Sequence, residues 1–193
     1  MCIIKRRLLL VVVGESGGGK DELCKYAAEK FSMDFASSSD CLRQYIRDNG
    51  LGDTTPANMN RVSTLLRREL GHDFPIPMML AENDSEHLII GGPRVVAEVE
   101  TLRAHGAIII AVAPLSVRVR YDRAQGRNRD GDKISFDEFA AFCKLEAANS
   151  DPGGHNVDAV IAMADYHISN DGTLEEFRGK IDEVMEKIVP QLK

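Results

Sequence analysis

Seven residues near the start, Gly14-Glu15-Ser16-Gly17-Gly18-Gly19-Lys20, fit the pattern GxxxxGK and are the part of the chain whose types and spacing most directly suggest chemistry. Glycine lets successive backbone N–H groups turn inward on one anion, and a lysine closing such a run reaches the outer phosphates of a polyphosphate. An apolar run precedes the loop and an amphipathic stretch follows it, so the loop stands between a strand and a helix N-terminus whose partial positive charge favours the same ligand. A Gly-rich turn without a ligand is the alternative. Asp21 occupies the position where Ser or Thr more often supplies a hydroxyl to Mg²⁺. A carboxylate is also a hard oxygen ligand, which makes Asp21 a candidate for Mg²⁺; an acid that simply favours the helix dipole is the other reading.

Phosphoryl transfer is catalysed mainly by positioning and by cations that neutralise the transferring oxygens, so the arginines come next. Arg118, Arg120, Arg123, Arg127 and Arg129 lie within twelve residues, and the spacing puts Arg120, Arg123 and Arg127 on one helix face. A solvated basic face balanced by Asp122, Asp130 and Asp132 is the alternative. Asp40 and Arg43 form Asp-x-x-Arg after an apolar segment. The arginine can fork onto a phosphate while the acid accepts from a hydroxyl or amine, or takes a proton from an alcohol; Asp40 as a plain helix N-cap is equally open. The run Asn128–Ser135 sounds like a calcium loop, but its apolar residue falls one place late and its first ligand position is Gly126. No two of the five histidines have ligand spacing, so zinc is not indicated, and Met78-Met79-Leu80 reads as core.

These residues need a scaffold, and the chain supplies a repeating one. Short β-branched runs at Arg7–Val13, Met33–Ser37, His87–Ile90, Ala107–Ala113 and Tyr166–Ser169 alternate with amphipathic stretches. The helices fall at about Lys20–Phe31, Asp40–Asn49, Pro56–Leu70, Val95–His105, Ser116–Gln125, Ser135–Ala148 and Thr173–Ile188. This is the pattern of an α/β fold, a five-stranded parallel sheet with helices on both faces, and 193 residues suit one domain over 1–193. An insert rich in Arg over Asn49–Pro77 and a charged loop over Gly126–Lys133 interrupt the rhythm. The net charge of −6 argues against nucleic acid as a partner. Four cysteines without CxxC spacing suit a reducing cytoplasm, and the apolar run after Lys5-Arg6-Arg7 is too short to span a membrane and reads as a buried first strand.

With the phosphate loop, Ile89-Ile90-Gly91-Gly92-Pro93-Arg94 and the ending Ala164-Asp165-Tyr166-His167-Ile168-Ser169-Asn170-Asp171-Gly172-Thr173, the chain resembles archaeal-type nucleotide-kinase-like P-loop proteins, kin to dephospho-coenzyme A kinases and adenylate kinases. The Gly-Lys-Asp variant of the loop is similar to that of phage deoxynucleotide kinases. The resemblance implies the three-layer P-loop nucleotide-kinase fold with a short lid, ATP and Mg²⁺ as cofactors, and a small-molecule phosphate acceptor. It implies that Arg123, Arg127 and Arg129 stand at the lid edge, that Arg94 faces acceptor phosphate with Asp40, Arg43 and Arg67 in the same pocket, and that Asn170 and Gly172 lie near the adenine. Gly91 stands where the family commonly has an Asp, and Cys143 and Leu145 stand where it has an Asp and an Arg before Glu146.

The expected function is therefore ATP-dependent transfer to a nucleoside monophosphate or a similar acceptor, with a dephospho-coenzyme A kinase-like activity or a regulatory nucleotide-binding module as the alternatives. A nucleic-acid-linked ATPase using the arginine cluster is a third reading.

Overall fold

A computed structural model describes residues 8–113, 115–126, 134–148 and 151–189. Five strands, β1 (Leu8–Gly14), β2 (Asp34–Ser37), β3 (His87–Gly91), β4 (Ile108–Val112) and β5 (Tyr166–Ile168), form one parallel sheet in the order β2-β3-β1-β4-β5. The register pairs Leu10 of β1 with Ile89 on one side and with Ile108 on the other. Every residue of β1 is buried, and alternate side chains enter opposite layers, which is why the run is apolar without alternation. Leu8, Leu10 and Val12 pack with α1 (Lys20–Lys30) and α9 (Leu174–Ile188), whose contributions include Leu23, Ala27, Phe177 and Ile181. Leu9, Val11 and Val13 pack with α4 (Ile76–Ala81), α5 (Val96–Ala104) and α8 (Val157–Ala162).

The other helices are α2 (Ser38–Asp48), α3 (Pro56–Leu70), α6 (Val117–Gly126) and α7 (Phe136–Ala147). The second helix begins two residues before Asp40, because the Ser37 hydroxyl accepts from the Asp40 N–H and caps it; Asp40 is thus inside the first turn rather than the cap. Two helices, α4 and α8, were not expected. Each has six residues, too few for a helical period to show in the sequence, and α8 starts at an Asn156 cap after a Pro-Gly-Gly turn. The insert is not solely polar: Val62, Leu66 and Phe74 form a satellite core with Leu42 and Ile46 of α2. Among the described residues no helix is long and apolar enough to cross a membrane.

A parallel sheet gathers the carboxyl ends of its strands at one edge, and the crevice falls where the chain leaves the central strand for opposite sides. Here β1 is central, with β3 and β4 as its two neighbours, so the Gly14–Lys20 loop opens at that crevice. The end of β3 lies beside it, with the Gly92 N–H donating to the Val12 carbonyl at 3.2 Å.

Gly91 closes β3, and its surroundings account for the glycine. A Cβ on Gly91 would stand 2.9 Å from the Phe35 ring and 3.0 Å from the Cys24 sulfur. Gly91→Ala is expected to cost about 1–3 kcal/mol in chemical denaturation, from overpacking, and Phe35→Leu in the same chain to recover part of it; an unchanged midpoint for Gly91→Ala contradicts this packing.

Candidate functional site

The loop is shaped by glycines where no other residue fits. Gly17 has φ 78° and a Cβ there would lie 2.5 Å from the Arg120 carbonyl oxygen; Gly19 has φ 108° and a Cβ would run into the Asn170 amide. Gly19 is the N-cap of α1, and no side chain caps that helix, so its first turn carries its dipole directly to the loop. Lys20 is 8% exposed, and its ammonium donates to the Glu15 carbonyl at 2.8 Å. Asp21 and Glu22 follow in the first turn of α1.

Two buried side chains hold this loop from outside. Asn170, just past β5, donates from Nδ2 to the Gly18 carbonyl at 2.9 Å. Arg120 of α6, 3% exposed, binds the Glu15 carboxylate at 2.8 Å and donates to the Ser16 and Leu115 carbonyls, both at 3.2 Å. Its Nη1 also lies 3.3 Å from the Cys143 sulfur. Burial outweighs Arg120 at Glu15 and holds that carboxyl above its ordinary range. Burial likewise raises the Cys143 thiol against the pull of Arg120.

A second charged cluster adjoins the loop. Arg67 of α3 pairs with Glu98 of α5 at 2.8 Å, and Glu98 is 1% exposed. The other Glu98 oxygen accepts from the Arg94 and Val95 N–H groups at 2.8 and 3.2 Å, closing the turn from β3 into α5. Arg94 sends its guanidinium to Glu146 of α7 instead, and His155 Nδ1 lies 3.3 Å from the same Glu146 oxygen. Burial works against the Arg94 charge while Glu98 favours it, and Asp21 acts on it in the same sense. Asp21 and Arg94 are thus within electrostatic reach, which joins this cluster to the phosphate loop.

The residues singled out from the sequence therefore separate into groups. Gly14–Lys20, Asp21, Asn170 and Arg94 gather at the crevice, and Arg67 is tied to Arg94 through Glu98. Asn170 is engaged with the loop backbone, and Gly172 abuts Glu176, which caps α9 with Thr173. Asp40 and Arg43 bond each other at 2.6 Å and line a separate cavity of about 390 Å³ with Phe35, Arg47, Met79 and Glu82. No hydrogen bond or ion pair joins Asp40 or Arg43 to Arg67 or Arg94 among the described residues. Arg123 lies on α6 with Nη1 buried and without a hydrogen-bond partner among the described residues; Arg127 and Arg129 lie outside the described residues, as does most of the expected lid loop. Sequence reasoning assigned no role to Glu98, His155 or the Arg120–Glu15 pair. The Glu three places after Val95, as in a capping box, was the one signal available for Glu98.

The parallel sheet, its strand order and a glycine-rich loop leaving the central strand for a helix together define the fold of P-loop kinases. A shikimate kinase from Bacteroides thetaiotaomicron superposes with a TM-score of 0.54 at 16% identity, over 94% of this chain and 98% of that one. No protein-family model matches the sequence. A UPF0200 protein from Thermococcus onnurineus is 31% identical over 192 residues, 95% of this chain and all of that one, and another from Hyperthermus butylicus is 29% identical over 188 residues, covering 96% and 97%. The chain belongs to the UPF0200 family.

His155 gives this cluster a pH signature. Burial, then Arg94 and Arg67, lower its pKa from 6.5 to about 4, with Glu98 opposing. The folded protein binds fewer protons than the unfolded chain between those values, so stability is complete above about 6.5 and falls as pH drops toward 4, by on the order of 3 kcal/mol. Thermal melts of wild type and His155→Gln across that window should diverge, the variant showing the shallower decline; parallel curves would remove His155 from the account.

Proposed function

We propose that the protein is an ATP-dependent phosphotransferase that moves the γ-phosphate to a small acceptor, with a nucleoside monophosphate the first choice and dephospho-coenzyme A the second. The observation that carries the reading is the phosphate loop itself: glycines at positive φ, an uncapped helix start and a buried lysine at the exit of the central strand. Two guanidinium nitrogens, Arg67 Nε and Arg123 Nη1, are buried without hydrogen-bond partners among the described residues, and such donors suit an anion.

In this reading the loop amides and Lys20 take the β- and γ-phosphates, and Arg123, with Arg127 and Arg129 beyond it, neutralises the oxygens of the transferring group. Arg94 grips the acceptor's anionic end, backed by Arg67 through Glu98. An acceptor oxygen attacks Pγ, the Pγ–O bond to the β-phosphate breaks, and ADP leaves. A phosphate acceptor needs no base; with an alcohol, the proton goes to a carboxylate, for which Asp40 is the candidate. Asn170 and Gly172 support the loop and the start of α9 near the adenine side.

Asp21 fits Mg²⁺, an ion that is commonly held by one or two carboxylates together with substrate phosphates and water. Among the described residues no group of three or more His, Cys, Asp or Glu gathers, so a cage built from protein alone is not the arrangement here. Bound there, Mg²⁺ would neutralise charge between the β- and γ-phosphates. A regulatory nucleotide-binding module with little turnover is the second reading. Gly91 favours it, since Phe35 and Cys24 fill the space that a carboxylate at the end of β3 would need.

Lys20→Met should weaken ATP binding by at least about tenfold in calorimetry, the loss of one charge-assisted contact, while thermal stability stays near wild type. Equal affinities would remove the loop from the account. A panel of acceptors with ADP release as readout then separates the two readings, because the module predicts ATP binding without acceptor-stimulated release.

A further inference from the structure

The two arginines at the end of β3 are balanced by acids in unlike ways. Arg67 faces a carboxylate with both oxygens committed, one to the guanidinium and the other to two backbone N–H groups, at a residue only 1% exposed. The bonds at its second oxygen hold that carboxylate in place against Arg67. Arg94 is the reverse. Its main chain is pinned on both sides, the N–H donating to Glu98 and the carbonyl accepting from the Asn156 N–H at 2.8 Å. Its guanidinium has Glu146 as its carboxylate partner, and a quarter of the side chain remains accessible.

Glu146 is held differently from Glu98. It lies in the last turn of α7, beyond the cluster that Phe139 and Cys143 make with α6, and is 5% exposed. Its contacts with Arg94 and His155 fall on the same oxygen, Oε1. His155 therefore remains as a neighbour of that oxygen when the guanidinium is surrendered.

We infer that Glu146 is the resident counter-ion of Arg94, holding the place of the acceptor's anionic group and yielding it by exchange when a phosphate monoester or similar anion arrives. The inference rests on the proposed function in placing Arg94 at the acceptor. Glu146 thereby sets the charge selectivity of the site. A neutral acceptor leaves the Arg94–Glu146 pair intact and gains nothing from it, whereas a dianion competes more strongly than a single carboxylate for the same guanidinium. Arg94 without Glu146 would be a partly buried charge that has lost its carboxylate partner, which is costly. The carboxylate thus stabilises the empty site and weakens binding to it by the same contact.

The test compares wild type, Glu146→Gln and the double variant Glu146→Gln/Arg94→Gln, titrated with inorganic phosphate and, separately, with ATP. Glu146→Gln should bind phosphate at least about tenfold more tightly than wild type, since a charged competitor has become a neutral one. The double variant should lose that gain, which separates Arg94 from any phosphate taken by the loop. Should Glu146→Gln fail to fold, Glu146→Asp, with its shorter reach, should show a gain of the same sign. Equal phosphate affinity in wild type and the single variant overturns the inference, as does a gain that survives in the double variant. ATP affinity reads the other proposal: its loss from all forms with the phosphate gain intact sinks the nucleotide reading alone.

Discussion

The phosphate loop is packed so closely against two other elements that its backbone path leaves no room for a side chain at Gly17 or Gly19. The Arg120 carbonyl meets Gly17, the Asn170 amide meets Gly19, and each of these neighbours is itself fixed by hydrogen bonds to the loop. Glycine is conformationally costly to order, and that cost is offset here by contacts that a larger residue would prevent. The loop is consequently an object with three supports: β1 and α1 along the chain, α6 through Arg120, and the β5 end through Asn170. A ligand would meet a surface that is already formed, which lowers the ordering cost of binding.

Charge around the loop is arranged in matched pairs rather than as a positive field. Glu15 answers Arg120, Glu98 answers Arg67, and Glu146 answers Arg94, in a chain of net charge −6. Buried pairs of this sort add little net stability, because desolvation offsets most of the Coulomb attraction, but each one is damaging to break. Their effect is to fix geometry. The Glu98 carboxylate joins the insert helix α3 to the turn that carries Arg94, and Arg120 joins the loop to α6. His155 adds a group that stays neutral at pH 7 and so spares the cluster a further positive charge.

Much of the scaffold was legible in the sequence because it obeys simple periods. The five strands fell within two residues of their expected places, and a strand buried on both faces, like β1, announces itself as an unbroken apolar run. The seven longer helices were readable from amphipathic spacing. Short helices α4 and α8 were not, since six residues hold less than two turns. The loop was legible because its chemistry is local. The Arg120–Glu15 and Arg67–Glu98 pairs were not legible as supports, since the partners lie far apart in the chain and nothing in the spacing of one segment reports on a contact with another. Asp40 and Arg43 show the same limit in reverse: the pattern found the pair, but only the fold shows that they face a cavity beside β2.

The strand order has a consequence for how the chain comes to exist. The central strand is synthesised first, and both strands that flank it arrive much later, so β1 remains an unpaired hydrophobic segment while the insert is being made. Pairing of this non-local kind forms slowly and only once most of the polypeptide is present. Asn170 and Phe177, against which Gly19 packs, are translated only after all five strands. A fragment that stops before β5 thus possesses the glycine signature without the Asn170 contact that helps to shape it, and the geometry of the loop depends on segments far from it in the chain.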